Sequence, residues 1–305
     1  MRSILSKSKL GSQHGGRPPA AIEITPEGVL AAALPGKGEP AAYAFQALRP
    51  GDLVPGIAEP NLRSPEAVIA AIRSALGSVA PRTRAVTLVV PDTAVRVFVL
   101  DFDSLPARAS EAVPVLRFRM RKMVPFDVEH AGLSYQILTE SKAESRVLAA
   151  VLPSPILEEY EGAVRAAGYE PGSVMPSALA ALAALDSDEP VLAACLSRVA
   201  ITTSITQGND LLLYRTLDLP DDPVQRLIEV QRSVAVAAAY YEDKISVLPR
   251  TLYFAGNGDA AEFEQWFGTS ELTIVNLVER PETGSTTAMR HMSVAGLTGA
   301  LSGAA

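Results

Sequence analysis

The run Leu252 to Phe263, "LYFAGNGDAAEF", places Gly256 and Gly258 between a strand pattern and the start of a helix pattern. Glycines at such a junction let backbone N–H groups approach an anion with no side chain in the way. A helix N-terminus also favours negative charge, so the run has the local form of a phosphate or nucleotide cradle. Few other residues offer chemistry. The single cysteine, Cys195, lies in the apolar run "VLAACL" with no histidine near it in sequence, and it reads as a structural thiol. His14, His130 and His291 are scattered and show no metal-ligand spacing. No Gly-x-Ser-x-Gly, Walker A or His-Glu-x-x-His pattern occurs. The other concentrated feature is basic: "RFRMRKM" carries Arg117, Arg119, Arg121 and Lys122. Helical spacing puts Leu116, Met120 and Met123 on an inward stripe. The cations then read as a solvated helix face, or as a docking surface for an acidic segment or a membrane headgroup.

The elements that position these residues come from a chain of 305 residues, 48 % hydrophobic and 20 % charged, which is a globular composition with room for one large or two small domains. A net charge of −7 gives no reason to expect nucleic acid as a partner. One cysteine excludes a disulfide within the chain and fits the cytosol. The longest uncharged apolar run, "PGSVMPSALAALAAL", is too short and too rich in proline to span a membrane. Residues 1–18 read as a disordered basic tail without the apolar core of a signal peptide.

Turn and periodicity signals give strands at "AAIEIT", "GVLAAAL" and "AAYAFQAL", then a helix opened by Ser64-Pro65 and closed by Gly77. Strands "AVTLVVP" and "AVRVFVLDF" precede a helix over about Ala109 to Met123. Strands "GLSYQIL" and "RVLAAVLP" lead to a helix capped by Ser154, a short strand around Gly172 to Met175, and the helix "SALAALAAL". The second half repeats the plan. "PVLAACL", "VAITTSI" and "LLLYRTL" are strands, a long helix runs from Pro223 to about Glu242, and strand "TLYFAG", a helix from Asp259 to Phe267 and strand "LTIVNL" follow. In the opening run, Asn257 or Asp259 is placed to cap that last helix. Strand–strand–strand–helix–strand, twice, predicts a duplicated α/β unit whose mixed sheets combine an antiparallel meander with crossover helices. Two such lobes meet at a cleft.

That plan resembles the actin and hexokinase superfamily, in which hairpins grip phosphates and a glycine turn contacts adenosine; Gly256 and Gly258 fall at that turn. A narrower resemblance runs through residues 20–280. "LRFRMRKMVPFDVEHAGLSYQIL", with Pro125-Phe126-Asp127 and Leu133-Ser134-Tyr135-Gln136, is similar to the PilM family of type IV pilus assembly proteins. "LRPGDLVPGIAEPNLRSPEAVIAAI" and "EEYEGAVRAAGYEPGSV" resemble its loop-helix and helix-strand segments. The resemblance implies an α/β, duplicated, actin-like (ribonuclease H-like) fold with a small α+β subdomain inserted in lobe one. Lobe one would comprise residues 19–186 and 288–305, with the insertion at about 95–175, and lobe two residues 187–287. It further implies a cytoplasmic scaffold at the inner face of the inner membrane. Such a scaffold binds the cytoplasmic tail of a PilN-like inner-membrane protein and other pilus assembly proteins, and reaches the membrane through its partner. The basic helix, with Arg117, Arg119, Arg121, Pro125 and Phe126, would lie beside the groove that receives the tail.

Set against the family's phosphate hairpins, this sequence departs in both. Where the family's first hairpin resembles Leu-Asp-Ile-Gly-Ser-Ser, this chain has Ile22-Glu23-Ile24-Thr25-Pro26-Glu27, with Leu30 in place of a lysine. Where the second resembles Val-Asp-Ile-Gly, it has Ala194-Cys195-Leu196-Ser197, followed by Arg198, which reads as a surface charge. The turn glycines and one magnesium-binding carboxylate are gone. The expectation is a pseudo-ATPase with no catalytic residue, no metal and no cofactor, in which Gly256 and Gly258 are the relic of an adenosine turn. The alternatives are an active actin-fold ATPase or kinase using ATP and magnesium, and the cytoplasmic component of a type II secretion system, although such components usually carry a membrane span.

Overall fold

A computed structural model of the chain describes residues 17–34, 41–141, 144–268, 272–279 and 292–302. The first lobe opens with β1 (Ala20–Thr25), β2 (Gly28–Ala33) and β3 (Ala42–Ala47), an antiparallel meander. The residues of β1 and β2 are buried almost without exception, which is why both read as near-continuous apolar runs rather than alternating ones. Helix α1 (Pro65–Val79) crosses over to β4 (Ala85–Val90), which pairs in parallel with β1. A last strand, β8 (Glu170–Pro176), pairs in parallel with β4 at the sheet edge.

The second lobe repeats this order. Strands β9 (Val191–Leu196), β10 (Ala200–Gln207) and β11 (Asp210–Asp218) form the meander. Helix α5 (Pro223–Ile245) leads to β12 (Thr251–Gly256), parallel to β9. Helix α6 (Ala260–Glu264) then leads to β13 (Thr273–Asn276), parallel to β12. The two five-stranded sheets have the orders β3-β2-β1-β4-β8 and β11-β10-β9-β12-β13. The fold is thus a duplicated mixed α/β unit with a small insertion.

The insertion is a three-stranded antiparallel sheet, β5 (Arg96–Phe102), β7 (Ser145–Leu152) and β6 (Gly132–Glu140), backed by α2 (Ala109–Met120). Ala112, Leu116 and Met120 of α2 pack on Val147, Ala149 and Val151 of β7. The insertion ends at Leu152, short of residue 175. Helix α3 (Ser154–Ala166) packs its buried Tyr160 and Val164 into the main core of lobe one, and β8 completes that lobe's sheet. Helix α2 also ends three residues early, and Met123, expected to point inward, is 43 % exposed in the turn that follows.

Three terminal signals read differently in the structure. Helix α1 runs through Gly77 to Val79 and closes at Ala80 in the left-handed region, φ 46°. Burying Val79 outweighs a mid-helix glycine penalty of about 1 kcal/mol. Ser64 makes no side-chain cap to α1. Ser154 lies inside α3, and its hydroxyl donates to the His130 carbonyl.

The chain's last described helix returns to its beginning. Helix α7 (Ala295–Leu301) packs against α4 (Ser177–Leu182), β1 and β2 of lobe one. Of the basic tail expected over residues 1–18, residues 1–16 lie outside the described residues, but Arg17 is anchored. Its guanidinium donates to the carbonyls of Gly299 (3.0 Å) and Ser302 (3.2 Å), placing a cation at the C-terminus of α7. Among the described residues no helix is long and apolar enough to cross a membrane.

Candidate functional site

The C-terminal ends of β1, β4, β9 and β12 converge where the lobes face each other. This cleft brings together Glu23, Asp92, Ser177, Cys195, Ser197 and Gly256. It holds a cavity of about 60 Å³. A small-molecule site typically measures several hundred cubic ångströms.

Glu23 ends up here because β1 is the central strand and its Cα pairs with Leu30 and Val89 on either side. The side chain is 6 % exposed. Its Oε1 accepts from the Ser177 hydroxyl at the start of α4, while Oε2 is buried with no hydrogen-bond partner among the described residues. Burial raises its pKa from 4.5 to about 7, and the charges of Asp92 and Glu27 push the same way. Asp92 follows β4. It accepts from the Ala178 N–H at the N-terminus of α4 (3.0 Å) and from the Tyr214 hydroxyl of lobe two (3.1 Å). Burial still raises its pKa from 3.8 to about 6. Cys195 is buried between these two acids, and burial together with their charges pushes its thiol far up, so it stays neutral and unreactive.

The hairpin turns close on themselves. The Thr25 hydroxyl accepts from the Gly28 N–H (3.2 Å) and donates to the Gly28 carbonyl (3.0 Å). Ser197 holds the matching position in the second hairpin. Its hydroxyl accepts from the N–H groups of Val199 (3.3 Å) and Ala200 (3.0 Å) and donates to the Ala200 carbonyl (3.2 Å). These side chains satisfy the donors that a phosphate would otherwise take. Arg198 is exposed at the second turn, as a surface charge.

The glycine turn is closed too. Gly256 has no left-handed backbone; a Cβ there would fall 2.9 Å from the Leu196 carbonyl oxygen and 2.6 Å from the Phe254 ring. It is glycine because β9 and Phe254 press on it. Gly258, at φ 85°, makes the turn and does not line the cleft. Asp259, and not Asn257, then caps α6 in a capping box with Glu262, with N–H donors bound at 2.8 and 3.2 Å. Asn276 takes the next free donor, the Ala260 N–H, at 3.0 Å. In this arrangement the residues do not fit a nucleotide triphosphate with magnesium. The N–H donors of Gly28, Val199, Ala200, Asp259, Ala260 and Glu262 are taken by side chains of the turns and of Asn276, both carboxyl groups are buried, Asp92 is held by two donors and Glu23 by one, and the cavity is small.

The basic helix is not one continuous cationic face. Arg117 turns inward and donates to the carbonyls of Val128 and Ala131 (3.1 Å to the latter), stitching α2 to the loop before β6. Arg121 pairs with Glu129. Arg119 and Lys122 are exposed. Phe126 is half-buried against the insertion's core, and Pro125 is exposed in the turn after α2.

A second concavity, of about 410 Å³, separates the insertion from the edge of the first sheet. Ser134 and Leu152 of the insertion face Leu157 of α3 and Val174 of β8 across it. The outer edge of β8 pairs with no other strand among the described residues. Neither Arg117, Arg119, Arg121, Pro125 nor Phe126 lines this groove.

No protein-family model and no curated protein matches the chain. Solved structures do. A chain of the PilM–PilN type IV pilus biogenesis complex superposes with a TM-score of 0.72 at 19 % identity, covering 93 % of this chain and 98 % of that one. A Bacteroides thetaiotaomicron protein with an actin-like ATPase fold and unknown function reaches a TM-score of 0.52 at 10 % identity, over 92 % and 94 % of the two chains. The fold is actin-like. The cytoplasmic domain of EpsL, an inner-membrane component of the type II secretion system of Vibrio cholerae, also gives a TM-score of 0.52, at 12 % identity over 92 % and 94 %. In this actin-like frame, sequence reasoning identified Glu23, Cys195 and the three turns. It missed Asp92, Ser177, Tyr214, Asn276 and Gly296, which reach the site from distant segments. The hydroxyl residue three positions ahead of each hairpin's return strand was a readable sign of turn closure.

Proposed function

We propose that this chain is a non-catalytic, actin-like scaffold of a type IV pilus assembly machine. It binds the cytoplasmic tail of a PilN-like inner-membrane protein and is held by it at the inner face of that membrane. The observation that carries the reading is the superposition, at TM-score 0.72 over nearly both whole chains, on a member of the PilM–PilN complex. The self-closed hairpins support the non-catalytic part, since Thr25, Ser197 and Asp259 occupy the donors that phosphate binding requires.

The groove between β8 and the insertion is the receiving site. It combines an unpaired strand edge with apolar walls, the features with which proteins take up an extended peptide as an added strand. The test is a pull-down with peptides covering the tail of the pilus partner from the same genome. Wild type retains the tail, and Ser134→Trp, which fills the groove mouth, abolishes retention without changing the melting temperature. Retention unaffected by Ser134→Trp rules out this groove.

The pseudo-ATPase part has a separate test. Magnesium ATP at millimolar concentration leaves the melting temperature unchanged. A ligand at a hundred times its Kd adds about 2.7 kcal/mol, so a bound nucleotide would show as a clear shift and would favour the ATPase reading. Recovery of secretion-system rather than pilus components on affinity purification would favour the type II reading, for which EpsL is the structural precedent.

A further inference from the structure

The outer face of α2 is unlike the rest of the surface. Phe118 is 74 % exposed, more than any other large apolar side chain among the described residues, and Val115 and Met123 are exposed beside it. Val115, Phe118 and Arg119 are exposed on α2, with Phe118 opposite Leu116 and Met120 in the insertion's core, and Lys122 is exposed in the turn that follows the helix. Two of the nearby acids are ion-paired with arginines and a third is hydrogen-bonded to a histidine. Glu111 pairs with Arg108 at 3.7 Å, Glu129 with Arg121, and Asp127 with His130. Arg119 and Lys122 have no acidic partner among the described residues, leaving two uncompensated cations around a projecting aromatic ring.

We propose that this face docks on an anionic lipid bilayer, with Phe118 and Met123 entering the interface and Arg119 and Lys122 meeting headgroup phosphates. The charge is complementary to an anionic leaflet although the chain as a whole is acidic, because Arg119 and Lys122 are left over after Arg108 and Arg121 offset Glu111 and Glu129. The face is a convex helix with projecting side chains. A deformable bilayer interface takes up such a shape without a preformed pocket, whereas an acidic protein segment would gain only rim contacts. The surface is separate from the groove at β8, so it stands or falls independently of tail binding. In a cell it would add a weak second contact to a partner-held protein and orient the insertion toward the membrane.

The test is co-sedimentation of the full chain, without any partner, with vesicles of phosphatidylcholine alone or of equal parts phosphatidylcholine and phosphatidylglycerol. Binding is expected at low ionic strength to the anionic vesicles only, and salt weakens it. Arg119→Ala and Lys122→Ala each lower the partition coefficient about fivefold, and Phe118→Ser also lowers it. Val236→Ser, at an exposed apolar site on α5, leaves it unchanged. Unchanged melting temperatures for all four variants keep misfolding out of the comparison. Equal binding to neutral vesicles overturns the proposal. So does anionic binding insensitive to Phe118, Arg119 and Lys122, which would assign it to the basic residues at the N-terminus. Retention on immobilised polyglutamate, dependent on the same three residues and with no vesicle binding, overturns it in favour of a protein partner.

Discussion

Gly296 in α7 lies so close to Glu23 in β1 that a Cβ on it would fall 2.6 Å from Glu23 Oε2. Residues 273 positions apart in sequence therefore share one wall of the cleft. The last described helix covers the acid at the heart of the first sheet.

Gly296→Ala should destabilise the protein by about 1–3 kcal/mol, because the added methyl group meets the buried Glu23 carboxyl group and forces it or α7 to shift. In a Glu23→Ala background most of that cost should disappear, giving a coupling of at least about 0.5 kcal/mol in a urea-denaturation cycle. Strict additivity of the two changes would show that the contact is not what makes residue 296 glycine.

Glu23 also sets a pH dependence. Its folded pKa is raised from 4.5 to about 7, so between those values the folded state holds a proton that the unfolded chain releases. Its contribution is fully favourable below about pH 4.5 and is lost as pH rises to 7, with a total near 3 kcal/mol. Asp92, raised from 3.8 to about 6, acts in the same direction over its own window. Glu23→Gln should therefore raise the unfolding free energy at pH 8 and change it little at pH 4.5. A variant less stable at pH 8 than at pH 4.5, relative to wild type, contradicts this assignment.

Arg117 and Arg119 should separate cleanly. Arg117→Ala leaves the carbonyls of Val128 and Ala131 without their donor, and Val128 is buried. A loss of about 1–3 kcal/mol is expected, with faster amide exchange in residues 128–133. Arg119→Ala should stay within about 0.5 kcal/mol of wild type. Equal effects in chemical denaturation would remove the distinction between a stitching arginine and a surface one.

Two helical glycines give opposite expectations. Gly299 packs where α7 crosses α4, and a Cβ there would overlap the Ala180 carbonyl oxygen at 1.8 Å. Gly299→Ala should cost several kcal/mol or prevent α7 from docking. Gly77 sits in α1, exposed, with nothing within 4 Å of its Cβ position. Gly77→Ala should stabilise by about 0.5–1 kcal/mol through helix propensity alone. Thermal denaturation of the two variants tests both signs.

Much of the architecture was legible in the chain because its strands and helices carry strong local patterns. "AAIEIT", "VLAACL" and "TLYFAG" are apolar runs of strand length. The duplicated order of strands and helices is enough to predict two lobes, and Pro65 and Pro223 mark helix starts. The limits of the insertion were not legible. Helix α3 and β8 look like any helix and strand, and only the pairing of β8 with β4 assigns them to the first lobe. Arg117 read as one of four cations because spacing reports the side of a helix, not the loop that folds over it.

By itself, the sequence determined that Thr25 and Ser197 stand at the two hairpin turns, that Cys195 lies in the strand before the second, and that no nucleophile motif is present. Those are facts of residue identity. Tertiary structure alone decided what surrounds them. Asp92, Ser177 and Gly296 come to Glu23 from three separate segments, Tyr214 comes to Asp92 from a fourth, and Asn276 comes to the glycine turn from a fifth. Burial among them sets the acids' protonation. Such terms depend on which groups meet in space and how much water is left between them, and no local pattern in a chain encodes that.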